Sequence, residues 1–267
     1  MWYTSKQFYP NNVKALNNMQ KAYNMAQFQD VVCGGDLLTS GATKSVAKYQ
    51  LSFITSLFNY LFRDNCHFVY GNHDGNDSLG SRDDERLTFD EVARLTVNNY
   101  AKKLYYSYEK NNCKIIVLNT GNEVNKGFSN YPVLLQIPYI YQELMSYDGD
   151  IVIYMHMAHN ITENNPLYEF MPVLLDFLNA NNTKSTFSYG GIYDFTNSNS
   201  KVVAILSGHT HQYVASVYNG IHIISGKNAN TDAKNADFYY VIFDFEDRKL
   251  HVIDNDLNTK TTYDLIS

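Results

Sequence analysis

The sequence predicts an α/β fold in which two packed sheets are flanked by helices. Two features point there. Between Asn11 and Gly71, short apolar runs alternate with helix-length amphipathic stretches, the rhythm of a parallel sheet covered by helices. From Val202 onward the chain becomes a series of short apolar segments separated by polar turns, the mark of additional strands.

The elements follow in order. Asn11 or Asn12 can cap a helix reaching to about residue 27, with Leu16, Met19, Tyr23 and Ala26 at helical spacing. Asp30-Val31-Val32-Cys33 is a short strand ended by Gly34-Gly35-Asp36. Thr43 or Ser45 opens a second helix, with Val46, Tyr49, Leu51, Ile54, Leu57, Phe58 and Leu61 on its expected buried side. His67-Phe68-Val69-Tyr70 is the next strand, broken by Gly71. A short helix over about 89–97 precedes a hairpin, strands 105–108 and 114–118, that turns at Asn111-Asn112. Residues 139–146 read as helix and 151–155 as strand. Pro166 suits a helix start, while Pro172 implies a kink or a later start. The polar stretch 179–200 reads as a long loop near the site. Strands follow at 202–206, 213–218, 221–224, 238–245 and 250–253, with Asn219-Gly220 as a hairpin turn. The whole is read as one domain over 1–267.

Composition narrows the function classes. The chain has 267 residues, 45% hydrophobic and 18% charged, enough to bury a sizeable core. Its net charge of −6 argues against a broad nucleic-acid-binding face, which is usually basic. A phosphate substrate remains compatible, because bound metal ions supply positive charge locally. Cys33, Cys66 and Cys113 are odd in number and far apart, so they read as reduced core residues. That suits a cytoplasmic location. No apolar run approaches the roughly 18 residues of a membrane span. No apolar region of a secretory signal follows Met1.

Four polar clusters each stand just after a predicted strand: Gly35-Asp36, Gly71-Asn72-His73-Asp74, His156 and Gly208-His209-Thr210-His211. Ligands of open α/β sheets bind outside the carboxyl ends of the strands, so the four can converge on one point. Asp, Asn and His offer oxygen and nitrogen ligands suited to Zn, Mn or Fe. Gly-Asp alone is an ordinary turn, and a single His is more often a satisfied polar residue than a ligand. The ordered quartet Gly-Asn-His-Asp is far more specific, and all four clusters in this order are more specific still. His156 is preferred over His159 because it is nearer the strand end. His67 and His222 fall inside strands and His251 in the C-terminal hairpin, with no catalytic role. Asn160, Tyr189 and Asn228 are conceivable substrate contacts by proximity to the clusters.

These four clusters resemble the second to fifth motifs of the calcineurin-like metallophosphoesterases, over roughly residues 11–225. The resemblance implies a four-layer α/β/β/α sandwich of two mixed sheets and a centre of two divalent ions, Mn, Fe or Zn. It implies that Asp36 bridges the ions. Asn72, His156 and His209 would complete the second ion's shell, and His211 would bind the first. Asn72 and His73 would contact the substrate phosphate. His73 would protonate the leaving oxygen, with Asp74 holding its imidazole, while a metal-activated hydroxide attacks phosphorus in line. The substrate would be a phosphate monoester or diester, as a small molecule or nucleotide.

The family's first motif, Asp-x-His, has no counterpart: no Asp precedes Asp30 and no His precedes His67. The first ion therefore lacks two expected ligands, so its site can be empty. The first strand is expected to be missing and the chain N-terminally incomplete, whether by an internal start, by truncation or by degeneration. The alternative reading is a catalytically impaired, metal-stabilised binding module of a larger assembly, such as a phage particle.

Overall fold

The computed structural model describes residues 19–21, 23–24, 30–38, 42–76, 83–96, 104–121, 133–158, 169–226, 239–254 and 260–265. The centre is a six-stranded mixed sheet. It contains β3 (Tyr106–Lys110), β4 (Cys113–Leu118), β5 (Asp148–Met155), β8 (Asn199–Ser207), β9 (Val214–Tyr218) and β10 (Ile221–Ser225). The spatial order is β3-β4-β5-β8-β10-β9. The β4, β5, β8 and β10 pairings are parallel, and both outer pairings are antiparallel hairpins. The β3–β4 hairpin turns on Asn111 and Asn112 at φ 50° and 57°, the left-handed pair that a two-residue turn requires.

Residues alternate across the central sheet, so its two faces hold different cores. One face carries Ile116, Leu118, Ile151, Ile153, Met155, Val202, Ile205, Ile221 and Ile223. It is covered by α3 (Ile137–Met145) and α4 (Phe170–Asn182), through Ile140, Leu144, Leu174 and Phe177. The other face meets two smaller sheets. Ile115 and Val117 pack towards the parallel pair β1 (Val31–Cys33) and β2 (Cys66–Phe68). Val152, Ala204, Leu206 and Ile224 pack on Leu250, Val252 and Leu265 of the antiparallel set β11 (Tyr239–Asp244), β12 (Lys249–Asp254) and β13 (Lys260–Asp264) and its end. Helices α1 (Lys44–Phe62) and α2 (Phe89–Thr96) complete the outer layer beside β1 and β2. The layers therefore run α/β/β/α, as expected.

Local signals account for most elements. Thr43 adopts an extended backbone before α1, as expected of the residue that opens a helix. Helix α4 starts at Phe170, so Pro172 falls in its first turn, where a missing N–H costs no helical bond. This is the later start that Pro172 implied. The Pro166 start and the first part of the 11–27 helix lie outside the described residues.

Several expectations need correction. Val46 and Tyr49 are exposed, because the buried stripe of α1 runs through Ala47, Leu51, Ile54, Phe58 and Phe62. The 100° step per residue places 46 and 49 on the far side. The stretch 179–200 is not a long loop: α4 continues to Asn182, a hairpin of β6 (Thr186–Ser188) and β7 (Ile192–Asp194) follows, and β8 begins at Asn199. Nor is it near the expected site. It enters β8 at the strand's start, and residues 201–207 of β8 separate its end from Gly208, about 26 Å at strand rise. Tyr189 lies at this hairpin's tip, which removes it as a substrate contact. Strand β13 was not foreseen; Thr and Lys between polar residues carry little alternation.

Phe177 meets Phe187, Tyr193 and Phe195 edge-on, with ring centroids 5.2–5.5 Å apart. Phe177→Ala should lower unfolding free energy by about 3–5 kcal/mol in urea titrations. A loss below about 1 kcal/mol would contradict this packing.

Candidate metal centre

All four clusters sit at the carboxyl ends of strands β1, β2, β5 and β8. Their side chains meet because the intervening backbone is unusually close. Gly35 and Asp36 take φ of +99° and +57°, reversing the chain after β1. A Cβ on Gly35 would stand 2.6 Å from His156 Nδ1 and 2.8 Å from the Gly71 backbone. A Cβ on Gly71 would stand 2.2 Å from Asp36 N. Only glycine permits either approach. Gly208 likewise faces Gly34 across β8 and β1, and its N–H donates to the His156 carbonyl at 3.1 Å.

The contacts centre on His156, which is buried. Its Nδ1 lies 2.6 Å from the Gly34 carbonyl oxygen, which can only accept, so Nδ1 carries hydrogen. Its Nε2 is left to the site. Asn72 Oδ1 lies 3.0 Å from that nitrogen, Asp36 Oδ2 3.2 Å and His209 Nδ1 3.2 Å. Asn72 Oδ1 is also 2.9 Å from His209 Nδ1. The second Asp36 oxygen, Oδ1, accepts the His73 N–H at 3.0 Å.

Electrostatics distinguishes the members. For Asp36, burial opposes ionisation, but the His156 hydrogen bond and charge outweigh it and hold the carboxyl at about 2. For His156, burial favours the neutral ring, yet the bond to Asp36 raises its pKa above the ordinary value. Burial, followed by the charge of His156, pushes His209 down to about 4, so it is neutral at pH 7. Burial and then the Asp36 charge raise Asp74 to about 7, against the pull of N–H donors from Gly71 and Leu38.

This arrangement fits one divalent cation. The ligand atoms of Asp36, His156 and His209 all lie within 4.8 Å of one another. Two acceptors, Asp36 Oδ2 and Asn72 Oδ1, and a neutral imidazole converge on a single nitrogen. Two oxygens and two imidazoles suit Zn, Mn or Fe. His211 stands apart: it is exposed, at φ 55°, with its charge felt at His209 but outside that close group. His73 is partly buried beside Asp36, and its charge is felt there and at His209. His159, Asn160 and Asn228 lie outside the described residues.

Other histidines serve the fold. His67 pairs with Asp30 at 3.1 Å and stacks on Tyr108, and His222 Nε2 donates to the Asp264 carbonyl at 2.7 Å. Supporting residues went unnoticed in the sequence. Asn76 is buried and bonds Ala42 through both its amide nitrogen and its oxygen, and also the Glu85 carbonyl. Ser207 and Ser225 both donate to the Ala158 carbonyl, and Thr120 accepts the Met157 N–H, fixing the chain beyond His156. Only the position of Asn76 directly after the quartet and Gly75 could have drawn attention; isolated Ser and Thr carry no such signal.

The chain matches the calcineurin-like phosphoesterase family over residues 9–213. No curated protein matches it. Among solved structures it is similar to a dimetal phosphatase from Danio rerio, with a TM-score of 0.66 at 12% identity, over 95% of this chain and 89% of that one. It is also similar to a protein of Thermus thermophilus, with a TM-score of 0.50 at 8% identity, over 95% and 94%. GAP50, the anchor in the inner membrane complex of Plasmodium, has a TM-score of 0.50 at 10% identity, over 99% and 86%. At these identities the likeness is one of fold. The family match spans the clusters after β1, β2 and β5 and the Gly208-His209-Thr210-His211 cluster, and the chain belongs to the calcineurin-like phosphoesterases, metal-dependent hydrolases of phosphate esters.

Proposed function

We propose that the chain hydrolyses phosphate monoesters or diesters of small molecules or nucleotides at the Asp36–Asn72–His156–His209 centre. The observation that carries this is the convergence of Asp36, Asn72 and His209 on His156 Nε2. A divalent cation held there would polarise the phosphoryl group and acidify a water molecule. The remaining steps belong to the chain's own side chains. Asn72 offers its amide beside the phosphate. His73, partly exposed at the rim, donates a proton to the leaving oxygen. His156, fixed by the Gly34 carbonyl, holds its Nε2 toward the centre. Asp36 presents its Oδ2 to the same point while the His73 N–H holds its Oδ1. His211, with Asp36, would serve a second cation.

One observation favours a second reading. Among the described residues, the close group of acidic and His ligands serves one cation, and His211 lies outside it. A binding module that keeps one structural ion fits that arrangement, and GAP50 is an anchor of this fold. Metal analysis separates the two: about two cations per chain favours the hydrolase, and one or none the module.

Asp36→Asn and His73→Gln should each reduce metal-dependent hydrolysis of an aryl phosphate, by roughly 10²-fold or more for His73. Unchanged turnover in both variants would refute the assignment.

The pH dependence of metal binding follows from His156. Its raised pKa means that, without a cation, it keeps a proton to higher pH than a free imidazole. A cation must displace that proton, so affinity should rise with pH as His156 deprotonates, at higher pH than for a free imidazole. Calorimetry in buffers of different ionisation heat should find net proton release on cation binding, larger at lower pH. Affinity independent of pH would contradict this account.

A further inference from the structure

We infer that Asp74 is a positioning residue for Asp36, not the support of the His73 imidazole. The inference rests on the metal centre proposed above and concerns how the chain builds it. Asp74 is 1% exposed. Its Oδ2 accepts the N–H of Asp36 at 3.0 Å and of Gly71 at 2.8 Å, and its Oδ1 accepts the N–H of Leu38 at 3.1 Å. All three donors are backbone. Two lie in the loop after β1, on and just beyond Asp36, and one begins the loop after β2. A single carboxylate thus ties the two reversals together.

The need for such a tie is visible in Asp36. It is a non-glycine residue in the left-handed region, where only over-determination by its surroundings keeps it. Its own carboxylate must present Oδ2 to His156 while Oδ1 takes the His73 N–H. If the backbone at Asp36 relaxed, both contacts would move. Asn76 adds a second tie further along, between the same two loops, through Ala42. The segment after β2 therefore divides its labour: Asn72 faces the centre, while Asp74 and Asn76 hold the loop that carries Asp36.

The two roles for Asp74 make different demands. A support for His73 would act on proton transfer and leave metal affinity alone. A brace for Asp36 must act on metal affinity. Asparagine is nearly isosteric with aspartate, but it replaces one acceptor oxygen by an NH2 donor. Whichever way its amide is turned, at least one backbone N–H then faces a donor.

The test uses Mn2+ alone and the full chain. Titration calorimetry should show Asp74→Asn binding Mn2+ about tenfold or more weakly than the unmodified chain. In the metal-free, unmodified chain, amide hydrogen exchange should find Asp36, Leu38 and Gly71 protected. In Asp74→Asn those three should lose protection while the amides of β8 keep it. Equal Mn2+ affinity in Asp74→Asn overturns the inference. So does free exchange at the three amides of the unmodified chain, a reading that holds even if the variant fails to fold. If the unmodified chain takes up no Mn2+, the proposed centre fails, and the exchange measurement still decides whether Asp74 is a brace.

Discussion

The chain reverses after β1 and again after β2, and the two reversals touch. Gly35 lies against His156 and Gly71, and Gly71 lies against Asp36, at separations that leave no room for a Cβ. Much of the centre depends on that contact. It brings a carboxylate from one strand and an amide from a second to an imidazole from a third, with a further imidazole supplied beyond β8. It also explains why so much polar surface is buried here: once the backbones interlock, their N–H groups lose water and must find acceptors. Asp74 and Asn76 supply them.

Burial then sets the chemistry of the imidazoles. His156 and His209 are neighbours with ring centroids 5.1 Å apart, yet their pKa values move in opposite directions. Both are desolvated. At His156 the bond to the Asp36 carboxylate outweighs burial and reverses the sign. Divergent neighbours of this kind mark places where a protein has arranged charge for use.

Much of this was legible in the sequence. The Asn111-Asn112 hairpin, the opening of α1 and the four clusters at strand ends are local signals: turn residues, caps and glycines act within a few positions. The clusters' convergence was legible because the carboxyl ends of parallel strands share one edge. What escaped was non-local. Nothing near Asp74 in the sequence tells that its carboxylate would be taken by backbone from Asp36 and Leu38. The polar composition of 179–200 suggested an irregular loop, but Phe187, Tyr193 and Phe195 there bury against Phe177 and order it. Val46 and Tyr49 looked buried because apolar character alone does not say which side of a helix meets a neighbour.

The direction of β8 gives the molecule two chemically separate ends. The β6–β7 hairpin, with Tyr189, Gly190, Gly191 and exposed Ile192 at its tip, marks the end away from the Gly208-His209-Thr210-His211 cluster. A peptide tag, a fluorophore or a surface linker inserted between Gly190 and Gly191 would hang on the hydrolase's far side. That makes the hairpin a handle by which the protein can be held or watched without crowding the clusters at the strands' carboxyl ends.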